Sequence, residues 1–245
     1  MRAGYLQGMC GRYTLTVSKA DISARFLCAV TGGTGPLPRF NIAPAQDALV
    51  VIRAAARGRE ARGMRWGLPS PVWAPDDHRG WINARAETAA QKPAFRDLVN
   101  TRRCLVPADG FYEWRRHDAR AVQPFRFVRP DRGLFAFAGL WAPCRAEDAP
   151  SMACEEGAFA ILTTDASDAV APIHDRMPVI LRPEQEEAWL DAAVPYDRLP
   201  AGWMAPDNAG ALVAYPVIRA VNNAAHDAED CIRPQAPTPD LFEKS

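Results

Sequence analysis

Residues 103–115 read Arg-Cys-Leu-Val-Pro-Ala-Asp-Gly-Phe-Tyr-Glu-Trp-Arg, and this stretch gives the strongest indication of the fold. Two short runs rich in apolar and aromatic residues, Arg103–Ala108 and Phe111–Arg115, lie on either side of an Asp-Gly pair. Runs of this length, bounded by turn-forming residues, are typical of β-strands. The stretch therefore predicts a protein built around a β-sheet.

Similar short runs recur along the chain, because 22 prolines and 16 glycines divide the sequence into brief segments. Further strands are predicted at Ala48–Arg53, Gly63–Leu68, Pro124–Val128, Leu134–Trp141, Ala158–Thr163 and Pro178–Leu181. Helices are predicted at Ser18–Phe26, Ala94–Thr101 and Pro183–Ala192, and loops at 31–38 and 143–156. This mixture predicts an α+β fold, in which a strongly bent sheet or barrel-like core is flanked by a few helices.

The length and composition are those of a single domain, since 245 residues with 48% hydrophobic content supply one sizeable core. The sequence has no long apolar run, and residues 1–8 lack the basic and apolar regions of a secretory signal. We therefore expect a cytoplasmic monomer that has no membrane partner.

The formal net charge is zero, which argues against a protein that coats nucleic acid through bulk positive charge. The charges are unevenly distributed: residues 96–132 contain nine arginines and five acids, whereas residues 184–245 contain eleven acids and four basic residues. The acidic quarter is expected to face away from any phosphate backbone. Two solvated faces of opposite sign are the alternative interpretation.

Six cysteines are spread over the chain, at positions 10, 28, 104, 144, 154 and 231. No two of them form a Cys-x-x-Cys pair, and no histidine stands at zinc-finger spacing. The sequence therefore predicts neither structural zinc nor a disulfide framework, and it predicts no cofactor.

Cys10 becomes chemically distinctive if the mature chain begins with it, either because translation starts at Met9 or because residues 1–9 are removed. An N-terminal α-amine has a pKa of about 7.7–8.0, so it can attack an aldehyde near neutral pH. The neighbouring thiolate can then close the imine into a thiazolidine ring, which an amide nitrogen cannot form. A buried strand cysteine is the alternative interpretation.

Asn83 and Arg85 stand two residues apart, and therefore lie on one face if their segment is extended. The amide of Asn83 could orient a nucleophile while the guanidinium of Arg85 holds a phosphate. A turn asparagine beside a surface arginine is the alternative interpretation.

Glu113 and His174 are candidates for proton transfer. Glu113 lies in an aromatic run, and apolar surroundings raise a carboxyl pKa toward the range that a proton shuttle needs. His174 can act as a general acid or base, and the nearby Arg176 can bind phosphate. A solvent-facing glutamate and a structural histidine are the alternatives.

Several motifs follow one another in a characteristic order: Met9-Cys10-Gly11-Arg12-Tyr13, Phe40-Asn41-Ile42-Ala43-Pro44, Arg65-Trp66-Gly67-Leu68, Ile82–Thr88, Cys104–Trp114 and Ile173–Pro178. In this order they resemble the motifs of the SOS-response-associated peptidase family. The resemblance extends from Met9 to about Asn223, and so covers most of the chain.

The resemblance implies an α+β domain with a β-barrel-like core that binds single-stranded DNA in the DNA-damage response. It implies that Cys10 joins covalently to the ring-opened sugar aldehyde of an abasic site, a crosslinking or lyase-like activity. The implied roles are Asn83 positioning the Cys10 amine, Glu113 assisting sugar opening and imine formation, and His174 transferring protons at the sugar. Thr163 is expected to line the same pocket, Arg12, Arg85 and Arg176 to contact phosphates, and Trp73 to lie near unstacked bases.

Two features depart from the family pattern. Eight residues precede Met9, whereas the pattern begins with Met-Cys, so either translation starts later or a leader is cleaved. We expect residues 1–9 to be absent from the active protein, residues 10–233 to form the domain and residues 234–245 to form a flexible tail. Residues 69–72 also differ from the tandem tryptophans of some relatives.

Two other functions stay open on the sequence. The first is a thiol peptidase in which Cys10 and His174, with Asn83 or Glu113, hydrolyse peptides, its own leader being one candidate substrate. The second is a non-catalytic single-strand binder, which would hold intact and abasic DNA alike. Covalent capture of abasic DNA distinguishes the crosslinking function from both.

Overall fold

The apolar runs of the sequence form two sheets in the computed structural model, which describes residues 10–32, 35–54, 58–69, 80–116, 122–144 and 156–235. The strands are β1 Tyr13–Leu15, β2 Cys28–Val30, β3 Arg39–Ile42, β4 Asp47–Ala54, β5 Gly58–Trp66, β6 Asn83–Arg85, β7 Arg103–Ala108, β8 Gly110–Arg116, β9 Val122–Val128, β10 Phe135–Ala142, β11 Ala158–Asp165, β12 Arg176–Pro178, β13 Ile180–Leu181 and β14 Val213–Pro216. The α-helices are α1 Lys19–Phe26, α2 Ala86–Ala89, α3 Leu98–Thr101 and α4 Glu186–Leu190. Short 3₁₀ turns lie at Pro183–Gln185, Tyr196–Arg198, Ala201–Met204, Pro206–Ala209, Arg219–Asn222 and Glu229–Ile232.

The larger sheet curls until it closes, because strands β4, β5, β11, β10 and β7 pair in an unbroken circuit. The pairing of β5 with β11 is parallel, and the other four pairings are antiparallel. Every residue of β7 is buried, and so is β11 up to its last residue, so both faces of these strands lie against protein. The predicted α+β fold with a bent, barrel-like sheet in one domain is therefore confirmed.

The smaller sheet has the strand order β14-β9-β8-β1-β3 and brings the beginning of the domain beside β8. Strand β1 is antiparallel to β8, with Tyr13 opposite Phe111. The N–H of Tyr112 donates to the carbonyl of Arg12 at 3.0 Å. Because antiparallel strands run in opposite directions, this register carries Cys10 toward Glu113.

Each predicted strand overlaps an observed strand, and Arg103–Ala108 matches β7 residue for residue. Helix α1 begins after Ser18 as predicted, because the Ser18 hydroxyl accepts the Asp21 N–H while the Asp21 carboxylate accepts the Ser18 N–H. The predicted helix Ala94–Thr101 is too long, since only its last turn is α-helical and the preceding residues form turns. The predicted helix Pro183–Ala192 opens as a 3₁₀ turn before α4.

Some of the charges counted in the sequence are structural. Arg103, in the basic stretch, is buried and donates to the carbonyls of Val99 and Val194, both at 2.8 Å. In the acidic quarter, Glu186 is buried and pairs with Arg25 at 2.7 Å. Glu186 is therefore not part of a solvated acidic face, because its charge is neutralised inside the fold.

Four of the cysteines that the structure describes, namely Cys10, Cys28, Cys104 and Cys231, have buried free thiols. Cys144 is disulfide-bonded, although the sequence predicts no disulfide framework. No helix in the described part of the chain is long and apolar enough to span a membrane.

Candidate functional site

Cys10 lies three residues before β1, with its side chain fully buried at the junction of the two sheets. Its thiol makes a weak hydrogen bond to the Arg12 carbonyl, with Sγ and oxygen 3.9 Å apart. Burial raises the pKa of the Cys10 thiol well above its ordinary value, and the neighbouring Glu113 carboxylate raises it further. The thiol is therefore protonated near neutral pH in this structure.

Asn83 reaches the backbone of Cys10 from the larger sheet. Strand β6 runs parallel to β11 with Asn83 opposite Ile161, and the Asn83 Nδ2 donates to the Cys10 carbonyl at 3.1 Å. The Asn83 Oδ1 is buried and has no hydrogen-bond partner among the described residues. Because an unsatisfied buried oxygen is costly, this atom is an open acceptor beside the Cys10 backbone.

Glu113 supplies a buried carboxyl group on the other side of Cys10. Its side chain projects from β8, is 3% exposed and leaves Oε1 without a partner within the described ranges. Burial raises the Glu113 pKa well above its ordinary value, and the nearby Asp175 carboxylate adds to the rise. Burial therefore favours the protonated form of Glu113, whose Oε1 is open, in the apolar surroundings that the aromatic run of the sequence indicates.

His174 lies ahead of β12, with its side chain 20% exposed. Its Nδ1 accepts the Arg176 backbone N–H at 3.0 Å. The Arg176 carbonyl and the Asp175 carboxylate also lie near Nδ1, at 3.1 Å and 3.3 Å. The local backbone of His174 to Arg176 therefore orients the imidazole ring.

Arg176 is clamped by two carboxylates whose roles the sequence does not indicate. Its Nη1 and Nη2 donate to the two oxygens of Glu87 at 2.8 Å and 3.0 Å, and Nη1 also donates to Asp165 at 2.6 Å. Nη2 reaches the Thr163 carbonyl at 2.8 Å. Arg176 was expected to contact phosphate, but in this structure its guanidinium is neutralised by protein groups.

The other candidate phosphate contacts lie in different surroundings. Arg85 is exposed at the end of β6, where its guanidinium is accessible to a ligand. Arg12 is half-buried and donates to Asn41 Oδ1 at 3.0 Å and to the Val221 carbonyl at 2.7 Å, so its head group is committed to the fold. Burial lowers the pKa of Arg12 from its usual value.

Thr163 is buried on β11, opposite Arg85 on one side and Pro178 on the other. It therefore links the strand that holds Asn83 to the strand that begins at Arg176. Trp73, predicted to lie near the DNA bases, falls outside the described residues.

Cys10, Asn83 and Glu113 converge from three separate segments, and Asp175, the residue after His174, lies near Glu113. The fold and these residues define a mixed α/β protein whose closed sheet presents a buried thiol between a carboxamide and a neutral carboxylic acid. A family profile described as "SOS response associated peptidase (SRAP)" matches residues 9–224 of the chain. The chain belongs to this family, which confirms the resemblance found in its motifs.

Proteins named for abasic-site processing are among the similar sequences. The abasic site processing protein YoqW of Bacillus subtilis is 37% identical over 228 residues, spanning 91% of this chain and 99% of its own length. The abasic site processing protein YedK of Escherichia coli is 28% identical, spanning 92% of this chain and 100% of its own length.

Solved structures share the fold. A protein from Bacteroides thetaiotaomicron has a TM-score of 0.75 at 22% identity, covering 92% of this chain and all of its own. A phage-related protein from Bordetella bronchiseptica has a TM-score of 0.65 at 30% identity, covering 85% of this chain and 94% of its own.

Proposed function

We propose that this protein processes abasic sites in single-stranded DNA, by covalent capture of the sugar aldehyde on Cys10. The names of the related proteins support abasic-site processing. The observation that carries the covalent part is the contact of Asn83 with the backbone of Cys10, beside the neutral acid of Glu113. Asn83 and Glu113 both lie beside Cys10. As the first residue of the chain, Cys10 would present an amine and a thiol together to an aldehyde.

The first step is attack of the Cys10 α-amine on the ring-opened sugar aldehyde. The open Oδ1 of Asn83 is placed to accept a hydrogen bond from that amine, which directs the nitrogen lone pair toward the aldehyde. The neutral Glu113 then donates a proton to the carbinolamine hydroxyl, which leaves as water and gives an iminium ion.

The second step closes the ring. The Cys10 thiol gives its proton to the Glu113 carboxylate formed in the first step, and its sulfur adds to the iminium carbon. This restores the neutral acid and leaves a neutral thiazolidine, so the whole reaction releases one water. The raised thiol pKa is compatible with this order, because the thiol needs a base only after Glu113 has lost its proton.

The mechanism requires a free α-amine on Cys10, so we propose that the active form begins at this residue. Initiation at Met9 followed by methionine removal is the simpler route, because cysteine is small. Cleavage after Met9 by the same site is the second route. In either case residues 1–9 are absent from the active protein.

Phosphate contacts supply the affinity in this proposal, and the aldehyde supplies the selectivity. Arg85 is the best placed phosphate ligand because its guanidinium is exposed. His174 would exchange protons with the sugar as its ring opens.

Intact-mass measurement of the protein, alone and after mixing with abasic single-stranded DNA, tests the proposal. We expect a protein that begins at Cys10 and an adduct whose mass is that of protein plus DNA less one water. Cys10→Ala should form no adduct, whereas the matched variant Cys28→Ala, which removes another buried free thiol, should form it normally. A heat-stable adduct of undiminished yield from Cys10→Ala, or an active species that retains residues 1–9, would rule out the mechanism.

The thiol-peptidase alternative receives less support from the geometry. A cysteine peptidase needs a thiolate, which is usually paired with a histidine. The Cys10 thiol instead donates a weak hydrogen bond to the Arg12 carbonyl, and its pKa is raised. We therefore expect no cleavage of unrelated peptides, which can be measured with a fluorogenic peptide mixture.

A further inference from the structure

Three side chains of different chemistry, which the proposed reaction does not use, meet in residues 226–231. His226, Asp230 and Cys231 each offer one ligand atom, and these three atoms all lie within 4.8 Å of one another. His226 Nε2 and Asp230 Oδ1 are 2.8 Å apart, and the Cys231 Sγ lies 3.4 Å from the His226 carbonyl. The arrangement differs from the zinc-finger spacing sought in the sequence, which explains why that search predicted no metal.

The donor set is that of a borderline-soft divalent cation. Imidazole nitrogen, carboxylate oxygen and thiolate sulfur are the three ligand types of protein zinc sites, with metal–ligand distances of about 2.0–2.3 Å. Ligand atoms of a tetrahedral site therefore lie about 3.3–3.7 Å apart. Shifts of about 1 Å in the positions of the ligand atoms, made by side-chain rotation, would bring all three atoms into that range.

The cluster combines a rigid side with an open side. Cys231 is fully buried, and its carbonyl accepts the Tyr112 hydroxyl at 3.3 Å. His226 is held through its carbonyl, which accepts the Asn41 Nδ2 at 2.8 Å. The side chains of His226 and Asp230 are 34% and 44% exposed, so an ion could enter from solvent and keep a water as fourth ligand.

We propose that His226, Asp230 and Cys231 form a zinc site that holds residues 226–231 in the conformation in which they contact the smaller sheet. Binding replaces the hydrogen bond between His226 and Asp230 with two bonds to the metal. The Cys231 thiol loses its proton to solvent as the sulfur–metal bond forms, so the ion is held as a thiolate complex. The Val221 carbonyl, five residues before His226, accepts hydrogen bonds from Arg12 and Asn41. By ordering this part of the chain, the proposed ion would also stabilise Arg12, which lies between Cys10 and β1.

Metal binding by the full-length purified protein tests this site. After treatment with a chelator, the protein is titrated with Zn²⁺ in competition with a chromophoric chelator, and separately with Co²⁺ as a spectroscopic probe. We expect about one ion per chain and, with Co²⁺, a thiolate-to-metal charge-transfer band. Cys231→Ser should remove the band and weaken Zn²⁺ binding by at least about tenfold, since even outer-shell partners are worth about 10- to 100-fold.

Two matched variants keep the test decisive. Asp230→Asn and His226→Gln change half-exposed side chains and should weaken binding to a similar extent even if Cys231→Ser folds poorly. Cys10→Ala removes the thiol of the candidate functional site and should leave both the stoichiometry and the charge-transfer band unchanged. The proposal is overturned if the wild-type protein binds no ion, or if binding is lost in Cys10→Ala and kept in the variants of the cluster.

Discussion

The backbone N–H of Arg176 donates a hydrogen bond to Nδ1 of His174 at 3.0 Å, and this contact selects the tautomer of the ring. The direction of a backbone N–H is fixed, so a proton on Nδ1 would face another donor. The neutral imidazole therefore carries its proton on Nε2.

In this tautomer His174 offers a hydrogen-bond donor at Nε2, and its replacement tests that role. We expect His174→Ala to slow capture of abasic DNA by about 10², because positioned proton transfer typically contributes about 10²–10⁴ in rate. His174→Gln should retain part of the rate, since its amide N–H can stand near the position of Nε2–H. Single-turnover rates at saturating DNA measure both. Equal rates for the two variants would show that the ring acts as a base instead.

Glu87 is expected to act on the reaction through Arg176, whose guanidinium it holds with both oxygens. Glu87→Gln should loosen Arg176 and the adjoining His174, and slow capture by about tenfold, less than the roughly 10²-fold effect of a misplacement of about 1 Å. Asp165→Asn is the matched control, because the Asp165 side chain is more exposed and makes a single contact with Arg176. An equal loss in both variants would mean that the number of carboxylate charges beside Arg176 matters, and not the two-oxygen contact of Glu87.

The elements found from the sequence are those whose signal is local. The run Arg103–Ala108 is mostly apolar and is followed by turn residues, and β7 has the same bounds as the predicted strand. The strands β2, β3, β6 and β14 contain only three or four residues each, and they are defined by partners far away in the chain, as when β6 pairs with β11. Short strands of this kind have no local signal from which they could be predicted.

The candidate site divides in the same way. The segments carrying Cys10, Asn83, Glu113 and His174 are visible as motifs, and the structure brings the first three together. The clamp on Arg176 could not be predicted, because Glu87 is 89 residues away in sequence and becomes its neighbour only when β6, β11 and β12 pair. The expected contact of Arg176 with phosphate stays a prediction. It would require Arg176 to leave Glu87 and Asp165.

Arg85 is expected to contribute affinity and no chemistry. Its exposed guanidinium can neutralise one phosphate, so Arg85→Ala should weaken binding to single-stranded DNA and reduce the slope of log K against log salt by about 0.7. The capture rate at saturating DNA should be unchanged. Arg53→Ala removes the same charge from an arginine that pairs with Glu187, and should leave the slope unaltered. Fluorescence anisotropy at several salt concentrations measures the slopes, and an unchanged slope in Arg85→Ala would remove the phosphate role.

Glu113 is expected to destabilise the folded protein above acidic pH. Burial, and secondarily Asp175, raises the pKa of Glu113 in the folded state above its unfolded value of about 4.3, so folding favours the protonated acid. The stability that this carboxyl contributes is full below about pH 4.3 and is lost as the pH rises through the folded pKa. Glu113→Gln, which stays neutral, should therefore raise the Tm near neutral pH by a few degrees, because about 1 kcal/mol shifts Tm by about 2–4 °C in a chain of this size. The gain should shrink toward zero as the pH falls to 4.3 or below.

Asp131 provides a control of opposite sign, because the Gly133 N–H lowers its pKa at an exposed turn. Asp131→Asn should give no gain at neutral pH and a small loss that disappears in acid, since its stabilisation is present above the unfolded pKa and is lost as the pH falls. Thermal unfolding of the three proteins across the acid-to-neutral range measures both trends. A Glu113→Gln protein that is less stable than the wild type at neutral pH would show that the carboxyl is ionised and paired in solution. In that case Glu113 could not donate the proton that the proposed imine formation requires.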